Sequence, residues 1–455
     1  MTAHSISGNG VRVSLSRPGE VGYAAATDIW ARPSGLPPAA IAHCRTAVEV
    51  QLAVRAAREH GLPLSVRGGG HGWTGNALCP EGLVIDSSGM RQMGLEAYGH
   101  VMTMGGGTLA RDVFRVADRI GRAAVTGSSG AVGMAGLTLG GGYGPLIGRH
   151  GLALDNLLSA EVVLADGSLL RADDDTNPEL FWALRGGGGN FGVVTQMRHR
   201  LHLLESVYAG PIFYPLAEAA QVLRDCATLL EAAPDELTAQ VGFLSGPDGQ
   251  PVLMIAPTWI GAPKDAEREV EPFTHLGTPL AVMLSHSPPG AANSLFDEHT
   301  VNGNDVIMDS RRLPRLEAGS IDALIAAAHT RPSPGCAIVT HEFRGAATRI
   351  PTRATAFGMR REHVLVEIVA TWDGRNDPDS MADRQRAWVS NLCHALAPFS
   401  LPGGYANILA ASDAPEHIRA SYGPNADRLA RAKRHFDPDN TFARAIPLPS
   451  LRPDA

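Results

Sequence analysis

The sequence predicts an α+β protein with more than one domain, and three observations support this prediction. The chain has 455 residues, which is more than a typical single domain contains. Strand-like apolar runs and amphipathic helical stretches both recur along it. Many of its 51 glycines form clusters between residues 67 and 192, whereas the segment from about 206 to 400 has few such clusters. We therefore expect two parts that are built differently.

The first part begins with a well-marked helix and continues mainly as strands. Residues 46–60 read as a helix because Thr46 and Glu49 match a capping box, and Gly61 and Pro63 follow its end. The further elements predicted here are strands at 64–67, 83–86 and 101–104, a helix at 108–121, a hairpin turned by Asp166-Gly167 at 160–172, and a strand at 191–202.

The second part reads as strands interleaved with helices, which predicts a second α+β domain. Amphipathic helices are expected at 214–233 and 380–396. Strand-like runs lie at 239–245, 251–261, 336–343 and 363–372. The chain then reaches a return point near 398–407 and ends in a short helix and a turn.

Composition and charge exclude several classes of protein. The net charge of -7 argues against nucleic acid or an anionic membrane as the main partner. No apolar run of about 18 residues or more is present, and the N-terminus lacks a secretory pattern. The 5 cysteines are far apart and form no CxxC pair, so we expect no disulfide framework, no metal site and a reducing, cytoplasmic location.

Three glycine clusters carry the strongest chemical signal. They read RGGGHGWTG at 67–75, TLGGGYG at 138–144 and GGGGNFG at 186–192. Consecutive glycines let backbone N–H groups converge into an anion-binding nest, for which a pyrophosphate is a natural guest. Neither a P-loop nor a Rossmann fingerprint is present. The alternative for the first cluster is a tight turn in which His71 only caps backbone, but several nests together favour one long, extended ligand.

Five motifs, in one order along the chain, resemble a known family. They are RGGGHGWTGN (67–76), GMAGLTLGGGYG (133–144), GLALDNLLSAEVVLADG (151–167), NPELFWALRGGGGNFGVVT (177–195) and FDPDNTF (436–442). They resemble the FAD-linked oxidases of the vanillyl-alcohol oxidase / p-cresol methylhydroxylase superfamily, and most closely the bacterial branch of the berberine bridge enzyme-like group. The resemblance is dense at 40–205, sparse at 206–395 and moderate at 400–450.

This resemblance implies a PCMH-type FAD-binding domain in two parts, at 22–205 and 399–450. Between them, at 206–398, it implies a substrate domain with an antiparallel sheet covered by helices. FAD would be linked covalently to His71 through its 8α-methyl carbon. The other residues expected to bind it are Arg67, Gly68, Gly69, Gly70, Gly72, Asn76, Thr126, Gly127, Ser128, Ser129, Val132, Gly133, Gly136, Leu137, Gly141, Gly142, Tyr143, Gly192, Val193, Tyr405 and Asn407.

A second covalent link is not expected. Many relatives attach the flavin C6 to a cysteine in a Cys-Pro-x-Val-Gly pattern, and the matching position here holds Ser129, which cannot form that thioether. Cys79 is a rival nucleophile eight residues after His71, but free cysteines are more often inert and buried. The expectation is one covalent link, through His71.

The identity of the catalytic base is open at this point. Relatives often use the last tyrosine of Tyr-x-Asn-Tyr, which reads Tyr405-Ala406-Asn407-Ile408 here, and isoleucine cannot accept a proton. Tyr143 is one candidate, and its alternative role is a ring that packs over the flavin. Glu342 is the other candidate. Strand alternation separates it from His341, and its alternative role is a solvated charge paired with Arg344.

The expected function is that of an FAD-dependent oxidase. A small-molecule substrate would pass a hydride to the flavin, and electrons would then reach O2 and give hydrogen peroxide, in the tailoring of a secondary metabolite. Two alternatives stay open: a flavin-dependent oxygenase, and a non-redox protein that retains FAD structurally.

Overall fold

The protein is an α+β fold, as its sequence predicts. A computed structural model describes residues 5–8, 10–32, 35–297, 300–375 and 380–451. Within these ranges the strands form sheets of five, six and nine strands. The helices are α1 (Val21–Thr27), α2 (Ala47–Glu59), α3 (Ala110–Ala117), α4 (Met134–Gly140), α5 (Ile147–His150), α6 (Pro178–Gly187), α7 (Ala219–Glu231), α8 (Ala266–Val270), α9 (Pro289–Ala292), α10 (Ala318–His329), α11 (Ala346–Arg349), α12 (Ser380–Leu396), α13 (Pro415–Tyr422) and α14 (Ala426–Phe436).

The first sheet supports the first glycine cluster. Its strands are β1 (Ser5–Gly8), β2 (Val11–Ser16), β3 (Ala40–His43), β4 (Leu64–Arg67) and β5 (Leu83–Asp86), in the order β1-β2-β3-β5-β4. Helix α2 packs on it and has the predicted capping box: Thr46 Oγ1 accepts from Glu49 N at 3.3 Å, and Glu49 Oε2 accepts from Thr46 N at 2.9 Å. The glycines of residues 68–70 follow directly after β4.

The second sheet completes the N-terminal part. It contains β6 (Met93–Glu96), β7 (Val101–Gly105), β8 (Arg122–Ala124), β9 (Leu157–Val163), β10 (Leu169–Ala172) and β11 (Val193–Leu203). Strands β9 and β10 form the predicted hairpin. Asp166 Oδ1 accepts from Ser168 N at 2.8 Å, and Gly167 has a φ of 78°, which glycine adopts without steric cost.

The third sheet forms the middle part of the chain. Its strands are β12 (Val207–Ala209), β13 (Ile212–Pro215), β14 (Leu237–Ser245), β15 (Pro251–Trp259), β16 (Ala281–Val282), β17 (Ser285–Ser287), β18 (Asp305–Leu313), β19 (Cys336–Phe343) and β20 (His363–Trp372). Every pairing in it is antiparallel. Helices α7, α10 and α12 bury apolar side chains against one face, among them Leu223, Leu324 and Leu392. This is the predicted antiparallel sheet covered by helices.

One predicted helix begins too early. The amphipathic pattern predicts a helix over 214–233, but Tyr214 belongs to β13, pairs with Leu253 and is fully buried. Helix α7 starts only at Ala219. Sheet pairing and burial of the aromatic ring outweigh the helical periodicity there.

The C-terminal residues return to the N-terminal part. Helices α13 and α14 place Ile418, Tyr422 and Leu429 in one core with Leu180 and Phe181 of α6. The chain therefore passes through the third sheet and then returns to the core of the N-terminal part. No helix in the described ranges is both long and apolar enough to span a membrane.

Candidate functional site

A cavity of about 750 Å³ lies between the glycine loops and one face of the third sheet. Its floor is formed by the first glycine loop (residues 68–72) and by the segment 127–143, which contains α4. Its roof is the inner face of β14, β19 and β20, the face that the covering helices leave free. A pocket of this size is typical of cofactor and small-molecule sites.

The two parts of the floor touch backbone to backbone. A Cβ atom added to Gly69 would lie 2.5 Å from Gly133 N, and Gly70 has a φ of 70°. A side chain at Gly69 would therefore force the two segments apart. The first cluster is glycine-rich because its backbone has to come this close to a neighbouring loop while also lining the cavity.

His71 lies at the end of the first glycine loop and lines the cavity. Its ring stacks on Trp30, with centroids 4.4 Å apart and planes inclined by 15°. The Nε2 atom is buried and has no hydrogen-bond partner among the described residues. Burial lowers the pKa of His71 to about 4, so the imidazole is neutral near pH 7. A neutral, unpartnered ring nitrogen in a cavity fits a nucleophile that bonds to a bound cofactor.

The C-terminal return clamps the segment that follows α4. Tyr405 Oη accepts from Gly142 N at 2.8 Å and from Asn407 Nδ2 at 2.9 Å. A Cβ on Gly140 would lie 1.9 Å from Asn407 Oδ1. Both Tyr405 and Asn407 line the cavity, and their contacts explain why this part of the floor is also rich in glycine.

Most of the predicted cofactor-binding residues line this cavity. They are Gly68, Gly69, Gly70, His71, Gly72, Asn76, Gly127, Ser128, Ser129, Val132, Gly133, Gly136, Leu137, Tyr143, Gly192, Tyr405 and Asn407. The others do not, for physical reasons that differ between them. Thr126 Oγ1 donates to Gly127 O. Gly141 packs against the Tyr405 ring, and Gly142 packs against Ala153.

Val193 and Arg67 are the other two exceptions. Val193 points into the core below the first sheet, and the alternation of β11 turns Val194 to the cavity instead. Arg67 Nη1 donates to Asp86 Oδ1 at 3.0 Å, beside a contact between His43 Nδ1 and Asp86 Oδ2 at 3.2 Å. Burial alone would raise the pKa of Asp86, but the hydrogen bond to His43 and the charge of Arg67 lower it to about 2. Arg67 thus supports the loop from behind.

The site of the missing second link is occupied by a hydrogen bond. Ser129 Oγ donates to Asp297 Oδ1 at 2.8 Å, and Gly130 N donates to the same oxygen at 2.6 Å. Cys79, the rival nucleophile, is fully buried and does not line the cavity. Burial raises the pKa of its thiol, which makes the thiolate less available.

The roof carries a polar chain that sequence analysis missed. Gln240 Nε2 donates to Ser128 Oγ at 3.1 Å and lies 3.0 Å from His341 Nδ1. If His341 Nδ1 accepts from this amide, Nε2 carries the proton, and Nε2 lies 3.6 Å from Glu367 Oε2. His341 and Glu367 both line the cavity, and Glu367 is the only carboxylate among its described lining residues.

Glu342 does not belong to this roof. It lies on the opposite face of β19, toward the covering helices, and its Oε2 accepts from Ala239 N at 3.0 Å. Burial raises its pKa to about 7. The predicted separation of Glu342 from His341 by strand alternation is present, but the expectation that the Glu342 face meets the cavity is contradicted. Alternation assigns residues to faces and does not say which face is covered.

Tyr143 lines the cavity with its ring and turns its hydroxyl away. Its Oη lies 2.8 Å from His363 Nε2, and its ring packs edge-on to Tyr405 at 4.9 Å between centroids. Burial raises the pKa of Tyr143 well above its ordinary value, which disfavours the phenolate that a base would need. This geometry favours the packing role over the catalytic one.

The guanidinium of Arg444 also lines the cavity. The Nε atom of Arg444 is buried, and its N–H has no hydrogen-bond acceptor within the described part of the chain. It lies in the C-terminal return, near Ile446 and Phe442 on the same wall. A guanidinium with a free donor fits an anionic group such as a diphosphate. Sequence analysis assigned no role to it.

Known proteins resemble this chain along nearly its whole length. A family described as "FAD binding domain" matches residues 38–173, and one described as "Berberine and berberine like" matches residues 404–447. The (R)-6-hydroxynicotine oxidase of Paenarthrobacter nicotinovorans is 30% identical over 442 residues, which cover 93% of this chain and 94% of the relative. An FAD-linked oxidoreductase of Neurospora crassa, srdI, is 28% identical over 433 residues, which cover 90% and 84%.

Solved structures have the same fold. The 6-hydroxy-D-nicotine oxidase from Arthrobacter nicotinovorans superposes with a TM-score of 0.85 at 29% identity and covers 96% of this chain and 97% of that one. The Physcomitrella patens BBE-like 1 protein superposes with a TM-score of 0.84 at 23% identity, with the same coverage.

Proposed function

The chain belongs to the berberine-like family of FAD-binding oxidoreductases, and from this we propose that it is an oxidase that passes electrons from a small organic substrate to O2. The observation that carries the proposal is the cavity itself. It joins a glycine-lined floor with an unpartnered, neutral His71 to a roof with a carboxylate–imidazole pair. When bound there, FAD supplies the acceptor for a substrate hydride.

The floor would hold the cofactor. Backbone N–H groups of the first glycine loop and the guanidinium of Arg444 suit the diphosphate, and Tyr405 and Asn407 fix the segment after α4. His71 would provide one covalent link. No second link is proposed, because residue 129 has a hydroxyl in place of a thiol, and this hydroxyl donates to Asp297.

The roof would manage the substrate proton. Glu367 is the described carboxylate that faces the cavity, and we assign it the role of general base for a substrate O–H or N–H proton. His341, held by Gln240, lies beside Glu367 Oε2 and orients that carboxylate. Gln240 also donates to Ser128 Oγ, and this hydrogen bond connects the pair to the floor of the cavity.

The test is a panel of alcohols and amines added to the purified holoprotein without oxygen. Bleaching of the flavin by at least one compound is expected, followed by release of one hydrogen peroxide per product when air is admitted. Incorporation of labelled oxygen into the product would favour the oxygenase alternative. Absence of bleaching by every compound of the panel would contradict the oxidase and favour a protein that retains FAD structurally.

We also propose a cytoplasmic location and a role in secondary metabolism. All five cysteines are unpaired and buried, which suits a reducing cytoplasm. Relatives include FAD-linked oxidoreductases of several fungi, which fits a role in tailoring secondary metabolites.

A further inference from the structure

Residues 29–32 form a strap that passes between the first glycine loop and the third sheet. Trp30 N donates to Gly70 O at 3.0 Å, and Gly303 N donates to Ile29 O at 2.9 Å and to Trp30 O at 3.1 Å. Ala31 makes a parallel bridge with Asn304. The backbone on both sides of Trp30 is therefore fixed, once to the loop that carries His71 and once to the segment that leads into β18.

The end of the strap is also tied down. Arg32 Nε donates to Asp305 Oδ1 at 2.8 Å, and Asp305 is the first residue of β18. Both side chains are partly buried, with relative exposures of 35% and 24%. The place of the Trp30 ring thus depends on how the third sheet docks on the cofactor domain.

The Trp30 ring covers one face of the His71 imidazole. The 15° inclination and the 4.4 Å separation describe a parallel stack rather than an edge contact. No hydrogen bond from the described residues holds His71 Nε2, so hydrogen bonding at that atom does not set the ring plane. Rotation of the imidazole about its side-chain bonds would break the stack.

We propose that Trp30 is the positioning residue for His71: its indole fixes the plane of the imidazole and keeps water from it while the bond to FAD forms. This inference rests on the proposed attachment of FAD to His71. Attachment replaces an imidazole N–H bond and an 8α-methyl C–H bond by one N–C bond. The two protons and two electrons released in this exchange pass to O2, which becomes hydrogen peroxide.

The experiment measures attachment directly. The full chain is produced without flavin in a riboflavin auxotroph, FAD is added, samples are quenched in acid, and the flavin that stays with the polypeptide is measured over time. Trp30→Leu keeps apolar bulk but loses the parallel ring, whereas Trp30→Phe keeps a ring. We expect attachment about tenfold slower in Trp30→Leu and near the wild-type rate in Trp30→Phe, because a stacked pair contributes up to about 1.5 kcal/mol.

The pH profile separates positioning from a general loss of structure. In the wild type the attachment rate should be nearly constant from pH 5 to 8, because the pKa of His71 is about 4. In Trp30→Ala, water reaches the imidazole, its pKa rises toward about 6.5, and the rate should fall below that pH. Reversible FAD affinity, measured by fluorescence before attachment, should change less than about threefold.

The outcomes are distinct. If the wild type retains flavin and Trp30→Leu attaches it at the same rate, the positioning role is overturned and the attachment stands. If the rate and the FAD affinity fall together in all three variants, Phe included, Trp30 is merely structural. If the wild type itself retains no flavin, the attachment to His71 fails, and this inference fails with it.

Discussion

The floor and the roof of the cavity are built from different material. The floor is shaped mainly by close approach of the backbone. Gly69 lies against Gly133, and Gly140 lies against Asn407, at distances that leave no room for a side chain on either glycine. On the roof, regular strands present side chains, and the chemistry depends on His341 and Glu367. A floor of this kind leaves a trace in the sequence, because only glycine can occupy it.

The roof leaves a weaker trace. The strand that carries His341 is evident from its apolar residues, and period-two alternation sorts its residues into two faces. Which face is covered by helices depends on α7, α10 and α12, which are distant in sequence from β19. The lesson is that a site made by backbone approach is readable from one segment, whereas a site made by a sheet face requires the whole domain.

The largest effect is expected where the floor closes. Gly69→Ala adds a Cβ 2.5 Å from Gly133 N and should cost about 3 kcal/mol of unfolding free energy, or abolish FAD retention. Chemical unfolding and flavin content measure this. Gly94→Ala is the matched control, since a Cβ there meets no atom within 4 Å. If the two variants were equally stable, the close approach of Gly69 to Gly133 would not explain the glycine cluster.

The next effect distinguishes the two faces of the roof. Glu367→Gln should slow anaerobic flavin reduction by a substrate about 10²–10⁴-fold, because it removes the general base. Glu342→Gln should leave that rate within about threefold, since Glu342 does not line the cavity and its carboxylate accepts from Ala239 N of β14. Stopped-flow spectroscopy compares them. A large loss in Glu342→Gln with none in Glu367→Gln would reverse our assignment of the faces.

Glu342 should instead affect stability. Its pKa is raised to about 7, above the ordinary 4.5, so the protonated form is favoured in the fold. The stability that this group contributes is present below about pH 4.5 and is lost as the pH rises toward 7. Between these values the wild type should therefore lose stability relative to Glu342→Gln, by about 3 kcal/mol. Denaturation midpoints at pH 4.5 and pH 8 measure the difference, and a constant difference would contradict it.

The smallest effect is expected at Tyr143. Tyr143→Phe keeps the ring that lines the cavity and removes only the hydroxyl that meets His363. Flavin reduction should stay within about threefold of wild type, and unfolding free energy should fall by about 1 kcal/mol. A loss of flavin reduction as large as that of Glu367→Gln would show that the phenol takes part in catalysis.

The fold class and the glycine loops of the floor are predictable from the sequence. The predictions are wrong where contacts between residues distant in sequence determine a residue's position. Runs such as 336–343 and 363–372 matched their strands because apolar content and flanking turns are local properties. The helix predicted to begin at Tyr214 is wrong at that residue, because the strand partner Leu253 is remote in sequence. Arg67 is predicted to bind the cofactor, but its guanidinium donates to Asp86 on the neighbouring strand β5 and lies behind the loop. Each failure comes from a partner that the local pattern does not contain.

The central claim is one covalent link to FAD, made by His71. The mass of the intact, denatured protein tests it most directly, because each link removes two hydrogens. We predict the mass of the polypeptide plus FAD less two hydrogens, and the bare polypeptide mass for His71→Ala. A bare mass in the wild type would contradict the claim, as would a mass lower by two further hydrogens, which would reveal a second link.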